Sequence, residues 1–215
     1  MRHGMTMGEL ARLYNTEFRI GCRLTVVPME GWKRSMYYDE TGLPWISPSP
    51  NLRSLDAAIS YPGLGALEGT SLSVGRGTGR AFILYGAPWI DGPGLCRELN
   101  GRGLAGVRFK PAAFTPAVEA GMPRYPHAEK ECQGFEIEIT DRRAYRPVTA
   151  ALHAFDALHR LYPKDFAFGR SSRFFGLKSV EADLLAGKPP AEIERSWQPA
   201  RDRFLEARKA AVLYP

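Results

Sequence analysis

Glu68 heads a stretch crowded with groups that bind or transform polar ligands: Leu67-Glu68-Gly69-Thr70, then Ser73-Val74-Gly75-Arg76-Gly77-Thr78-Gly79-Arg80. A carboxyl group can give or take a proton, and a guanidinium can grip a carboxylate through two parallel hydrogen bonds. The glycines permit left-handed backbone and close approach of the main chain to a ligand, which suits a binding loop better than a packed core. Glu68 is the candidate catalytic acid, and Thr70, Arg76 and Thr78 are candidate substrate contacts. A structural reading stands beside each. Glu68 can bond amides of its own turn, Arg76 or Arg80 can pair with Glu68 to hold the loop, and the hydroxyls can serve turns.

Four further side chains outside this loop are candidate substrate contacts. His3 lies just before a capped helix, where a positive helix end suits hydrogen bonding to a ligand. Arg34, with Trp32, offers a cation beside a stacking face, and Ser49 and Asn51 in Pro48-Ser49-Pro50-Asn51 can bond sugar hydroxyls or simply fix the turn. Other chemistries fit poorly. The glycine loop lacks the Gly-Lys-Ser/Thr of a phosphate-binding P-loop, its glycine spacing is wrong for a dinucleotide fold, and no Gly-x-Ser-x-Gly elbow occurs. His127, His153 and His159 do not combine with carboxylates at metal-ligand spacing. Cys22, Cys96 and Cys132 are odd in number and far apart, so buried free thiols are expected. Neither a metal nor a cofactor is predicted.

The elements that must position these groups are legible in part. Thr6-Met7-Gly8-Glu9 is a capping box, and Leu10, Leu13, Tyr14 and Phe18 fall on one helical face behind it. Residues 23–29 read as a short strand, with Pro28 marking its end or an edge. A helix followed by an apolar strand is what the last unit of a doubly wound sheet looks like. Residues 30–51 are aromatic and irregular, with Trp32, Tyr37, Tyr38 and Trp45 placed either to stack on sugars or to plug a core. One or two helical turns then end at Pro62-Gly63, and strands are expected at 64–69 and 81–85 on either side of the glycine loop. Asp91 caps a helix ending near Gly101-Arg102-Gly103. Residues 107–114 and 135–139 alternate as strands, the second with Glu136 and Glu138 outward. The polar, proline-bearing stretch 117–131 reads as a mobile loop. Pro147 opens a long helix carrying Val148, Leu152, Phe155, Leu158, His159 and Tyr162 on one face. A helix around 180–185 and a last helix entered at Pro189-Pro190 follow, the latter divided at Pro199.

With 215 residues, 44% hydrophobic and 24% charged, the chain has the composition of a globular protein able to bury a sizeable core. Its net charge of +6 suits an anionic partner, yet no basic cluster interleaved with aromatics appears on one element, so nucleic acid is not expected. No window approaches the roughly 18 apolar residues of a membrane span, and the N-terminus shows no apolar signal-peptide region.

Several segments, taken in order, carry a family likeness: Arg2-His3-Gly4-Met5-Thr6, the Pro48-Asn51 turn, the glycine loop, Gly86-Ala87-Pro88-Trp89-Ile90-Asp91, Ser196-Trp197-Gln198-Pro199 and Leu213-Tyr214-Pro215. Together they resemble the NamZ-type exo-β-N-acetylmuramidases, glycoside hydrolases that trim N-acetylmuramic acid from peptidoglycan fragments. The resemblance implies an α/β plus α+β architecture. Residues 1–60 would be the remnant of a Rossmann-like domain (its final helix–strand unit) with the aromatic loop, and 61–215 a smaller α+β auxiliary domain. It also implies hydrolysis of terminal, non-reducing, β-linked N-acetylmuramic acid, with peptidoglycan-derived muramic acid saccharides as partners and a setting at the bacterial envelope or outside it. The likeness begins about halfway through a full family member, and the family's Glu-His-Gly motif has no counterpart here. The chain is therefore expected to be truncated and weakly active or inactive alone, and to call on a companion N-terminal half or self-association. A different class of reading is a carbohydrate-binding or interaction module without catalysis.

Overall fold

A computed structural model describes residues 3–118, 120–121 and 125–215. The expected loop at 117–131 thus lies partly outside the described residues. The chain separates into a main unit, Ile46–Ile193, and a terminal unit built from residues up to Trp45 together with Glu194–Pro215.

In the main unit, α1 runs Leu55–Leu64 behind an N-cap at Ser54, whose hydroxyl accepts from the Ala57 amide. It continues into a 3-10 turn, Gly65–Gly69. Residues 64–69 are therefore helical rather than the expected strand. Leu-Gly-Ala-Leu-Glu-Gly holds no β-branched residue, and a short apolar run without one extends a helix readily. The Pro62-Gly63 pair does not stop α1. Gly63 is needed for packing, because a Cβ there would sit 1.9 Å from the carbonyl oxygen of Pro147. That backbone approach seats α1 on the long helix α3, Pro147–Leu161.

Three antiparallel strands make the sheet: β1, Leu84–Ala87; β2, Val107–Phe114; and β3, Cys132–Ile139 at its centre. Between β1 and β2 lies α2, Gly92–Gly101, with Asp91 accepting from the Gly94 amide as its cap. The first strand begins three residues later than the pattern suggests, since residues 80–83 form turns. The alternation of β3 holds: Phe135 and Ile137 are buried while Glu136 and Glu138 are half-exposed. Phe135 stacks on Tyr85 and meets the edge of Phe109, which centres the core on the sheet face covered by α2. A second aromatic cluster gathers Phe166, Phe168 and Phe175 around Phe155 of α3. Two short helices follow, α4 at Ser171–Phe175 and α5 at Lys178–Leu185. Then α6, Pro190–Arg208, runs on into the terminal unit. Pro199 lies inside α6 without dividing it. Ala200 and the Arg203–Arg208 stretch are strong helix formers that resume the ladder after the missing N–H.

The terminal unit also holds the chain's first helix, Met7–Glu17, with the Thr6/Glu9 capping box formed in both directions. Phe18 is the C-cap and is 70% exposed, so the expected apolar face is covered only at Leu13. Residues 23–29 form no strand. Their β-branched pattern is right, but a strand needs a partner ladder, and none lies alongside among the described residues. Of the expected helix–strand unit the helix is therefore formed and the strand is not. The aromatic loop packs partly on itself, where Tyr38 meets Trp45 edge-on, and partly on the last residues, where Trp32 meets Tyr214 edge-on.

Cys96 and Cys132 are buried, and burial pushes both thiols up to about 11. Cys22 is exposed, contrary to expectation, because the segment that carries it joins no sheet. A native-state thiol titration with a disulfide reagent at pH 8 is expected to release one equivalent quickly and the other two only on denaturation. Three fast equivalents would contradict this burial.

Candidate functional site

The glycine loop, the end of the 3-10 turn and the start of α4 enclose a cavity of about 750 Å³ in the main unit, lined by Glu68, Thr70, Ser73, Arg76, Tyr125, Arg170, Arg173 and Phe174 among others. Glu68 reaches it because the 3-10 turn ends at Gly69. The next segment is held by Thr70, whose hydroxyl donates to the Leu67 carbonyl at 2.6 Å and accepts from the Leu72 amide. Ser71 is the hub of the surrounding loops. Its hydroxyl donates to the Asp165 carbonyl and accepts from the Ala167 amide, while its own carbonyl accepts from His127 Nε2 at 2.7 Å. This hub carries Tyr125 and Pro126 on one side and the approach to Arg170 on the other.

Arg76 Nη2 lies 2.5 Å from Glu68 Oε1. The guanidinium is oriented by two ring faces, Phe82 at 5.5 Å and Tyr125 at 5.8 Å. Phe82 holds a left-handed backbone, φ 62, at a position that is almost wholly buried. Such a conformation costs a non-glycine residue about 1–2 kcal/mol, and here it places the ring beneath Arg76. Burial pushes the Glu68 carboxyl above its ordinary range, and the Arg76 charge and hydrogen bond pull it down without cancelling the effect. A carboxyl held up in this way keeps its proton to higher pH, which is what a general acid needs. Among the described residues lining the cavity, Glu68 is the single carboxylate.

The structure gathers Glu68, Thr70 and Arg76 at one cavity and places the remaining candidates elsewhere. Thr78 closes its own turn, donating to the Gly75 carbonyl at 2.6 Å and accepting from the Arg80 amide, and it does not line the cavity. Ser49 and Asn51 sit in the turn before α1, where the Ser49 carbonyl accepts from the Leu52 amide. In the terminal unit, His3 Nδ1 accepts from the Met5 amide, and Arg34 donates to Glu9, Gly4 and Tyr214. Arg80 forms a two-pronged pair with Glu136 of β3. Tyr125, Arg170, Arg173 and Phe174 line the cavity but were not singled out from the sequence. The available signal was Gly169-Arg170-Ser171-Ser172-Arg173-Phe174, which pairs glycine with arginines as the first loop does. Among the described residues no group of His, Cys, Asp and Glu could hold a metal ion, and no helix is long and apolar enough to cross a membrane.

Comparison with known families bears directly on this cavity. Residues 59–214, which contain all of it, match the family model described as exo-beta-N-acetylmuramidase NamZ, C-terminal, and residues 1–56 match the corresponding N-terminal model. The chain belongs to the NamZ family. A curated NamZ relative, the peptidoglycan beta-N-acetylmuramidase NamZ of Bacillus subtilis (strain 168), is 38% identical over 217 aligned positions, covering 100% of this chain and 51% of that protein. Two crystal structures of DUF1343 family proteins from Bacteroides fragilis are similar in fold, each with a TM-score of 0.73 and 28% identity. They cover 98% and 99% of this chain and 56% of their own. This NamZ-family chain therefore spans about half the length of the relatives it matches.

Proposed function

We propose that this chain binds the terminal, non-reducing N-acetylmuramic acid of peptidoglycan fragments and supplies part of the machinery of an exo-acting β-N-acetylmuramidase. The observation that carries this reading is the cavity in which a half-buried Glu68, raised in pKa, faces Arg76 beside the aromatic side chains Tyr125 and Phe174. A sugar ring presents an apolar face to such rings and hydroxyls to the polar groups. Glu68 is the acid that protonates the leaving oxygen, and Thr70 and Arg76 order its surroundings. Residues 1–60 belong with the family's N-terminal domain and 61–215 form the auxiliary domain, a division supported by the family-model boundary between residues 56 and 59.

The chain alone hydrolyses weakly or not at all, because among the described residues its cavity holds one carboxylate where the chemistry uses two. The exposed Phe18, Ile20 and Val27 of the terminal unit support a requirement for a companion polypeptide or for self-association. The same single carboxylate, already paired with Arg76, also favours a second reading: a carbohydrate-binding module with no chemistry. Calorimetry with N-acetylmuramic acid and turnover of a chromogenic aryl β-N-acetylmuramide test both. Saccharide binding with turnover at least about 100-fold below an ordinary glycosidase rate is expected. A companion polypeptide carrying the Glu-His-Gly half should restore hydrolysis, and Glu68→Gln should remove what is restored. Full turnover by the chain alone would refute the one-carboxylate argument. Failure of the companion to restore any would favour the binding module, and absence of saccharide binding would defeat both.

A further inference from the structure

We infer that Arg170 and Arg173 read a carboxylate on the sugar held in the Glu68 cavity, and so set its preference for acidic over neutral saccharides. This rests on the saccharide reading above and adds the residues that select the ligand. Among the described residues the charges in the cavity do not balance: three guanidiniums line it against one carboxylate, and Arg76 is already committed to Glu68. The side chains of Arg170 and Arg173 are exposed and make no hydrogen bond or ion pair among the described residues. Like charges one helical turn apart disfavour each other unless an anion lies between them.

Their backbone is fixed, which separates them from ordinary surface arginines. The Arg170 amide donates to the Gly69 carbonyl at 2.7 Å, and the Arg173 amide donates to the Arg170 carbonyl at 3.1 Å. A Cβ on Gly69 would fall 2.6 Å from the Ser171 nitrogen, so this segment lies backbone-to-backbone against the turn that carries Glu68. Both guanidiniums thus start from fixed points on the lip of the same cavity. Phe174, next in sequence and also lining it, gives the ring of a sugar an apolar face beside those charges. N-acetylmuramic acid differs from N-acetylglucosamine by a lactyl ether whose carboxylate can accept from both arginines, whereas a neutral sugar leaves them solvated. Charge-assisted bonds at a solvent-exposed lip correspond to about tenfold discrimination.

The test is calorimetric titration of the 215-residue chain and of R170Q/R173Q with N-acetylmuramic acid, its lactyl carboxamide and N-acetylglucosamine. The wild-type chain should bind the acid about tenfold more tightly than the carboxamide, with the difference shrinking as salt rises. The double variant should bind both equally, at the carboxamide's wild-type affinity, and R170K/R173K should recover part of the preference. Both side chains are exposed, so an unchanged melting temperature is the check on folding. A wild-type preference that survives in R170Q/R173Q would overturn the assignment while leaving the saccharide reading intact. Equal wild-type binding of acid and carboxamide would also overturn it. Failure of the wild-type chain to bind any of the three sugars would instead remove the saccharide reading on which it rests.

Discussion

Replacing Glu9 with glutamine is expected to destabilise the terminal unit by about 3 kcal/mol at neutral pH, at the lower end for breaking a buried ion pair. Glu9 is fully buried, and its carboxylate accepts from Arg34 at 2.5 Å, from the Leu213 amide at 2.7 Å and from the Thr6 amide at 2.8 Å. Glutamine keeps the shape but leaves the Arg34 charge uncompensated. Because Arg34 keeps some contact with solvent, the loss falls at the low end of that range. The pH dependence follows from the same contacts. Burial by itself would raise the carboxyl, but the hydrogen bond from Arg34 and those from the Leu213 and Thr6 amides outweigh it and hold the group at about 2, below its ordinary 4.5. The stabilisation is then complete above about pH 4.5 and lost as pH falls through 2. Urea titrations followed by tryptophan fluorescence suit the measurement, since Trp32, Trp45 and Trp197 all belong to the terminal unit. The gap between wild type and Glu9→Gln should close between pH 4.5 and 2. A gap that is absent at pH 7, or that persists unchanged at pH 2, would refute this account.

Gly69→Ala should damage the cavity directly. The new Cβ would lie 2.6 Å from the Ser171 nitrogen, 2.7 Å from the Ser171 Cα and 2.8 Å from the Arg170 carbonyl carbon. These are backbone atoms and cannot rotate away, so the segment carrying Arg170 and Arg173 must lift off the turn that carries Glu68. Overpacking of this kind costs about 1–3 kcal/mol. The expected result is that loss of stability together with a fall of about tenfold or more in affinity for N-acetylmuramic acid. Gly79→Ala provides the control, because a Cβ there meets nothing within 4 Å. Wild-type affinity and stability in Gly69→Ala would show that the two segments do not depend on each other.

The parts of the fold legible in the sequence were those in which local chemistry and tertiary packing agree. The Thr6/Glu9 box, the Asp91 cap, Pro147 at the first turn of α3 and the alternation of β3 each satisfy their own backbone groups or bury their own face. The misreadings came where a partner decides. Residues 23–29 have strand composition but no ladder to join, and 64–69 have an apolar run that α1 absorbs into its last turns. Pro62 and Pro199 look like breaks in the sequence, yet each lies within a continuous helix whose flanking residues keep its geometry. At the site, Glu68, Thr70 and Arg76 were found because they share one loop. Arg170, Arg173 and Phe174 reach the same cavity from about 100 residues further along the chain, brought there by the Ser71 hub and the Gly69 contact, and periodicity carries no trace of such long-range pairings.

The bond between Glu9 and the Leu213 amide spans 204 positions, and the whole main unit is inserted between those two residues. A ring of that size is entropically expensive to close in an open polymer and much less so once most of it has condensed. During synthesis, the helix bearing Glu9 emerges before the main unit, and its carboxylate stays hydrated until Leu213 has followed. The main unit, whose contacts need no late partner, should assemble in the interval. Refolding should therefore show two kinetic phases, with the signal of Trp32, Trp45 and Trp197 in the slower one and that of Trp89 in the faster.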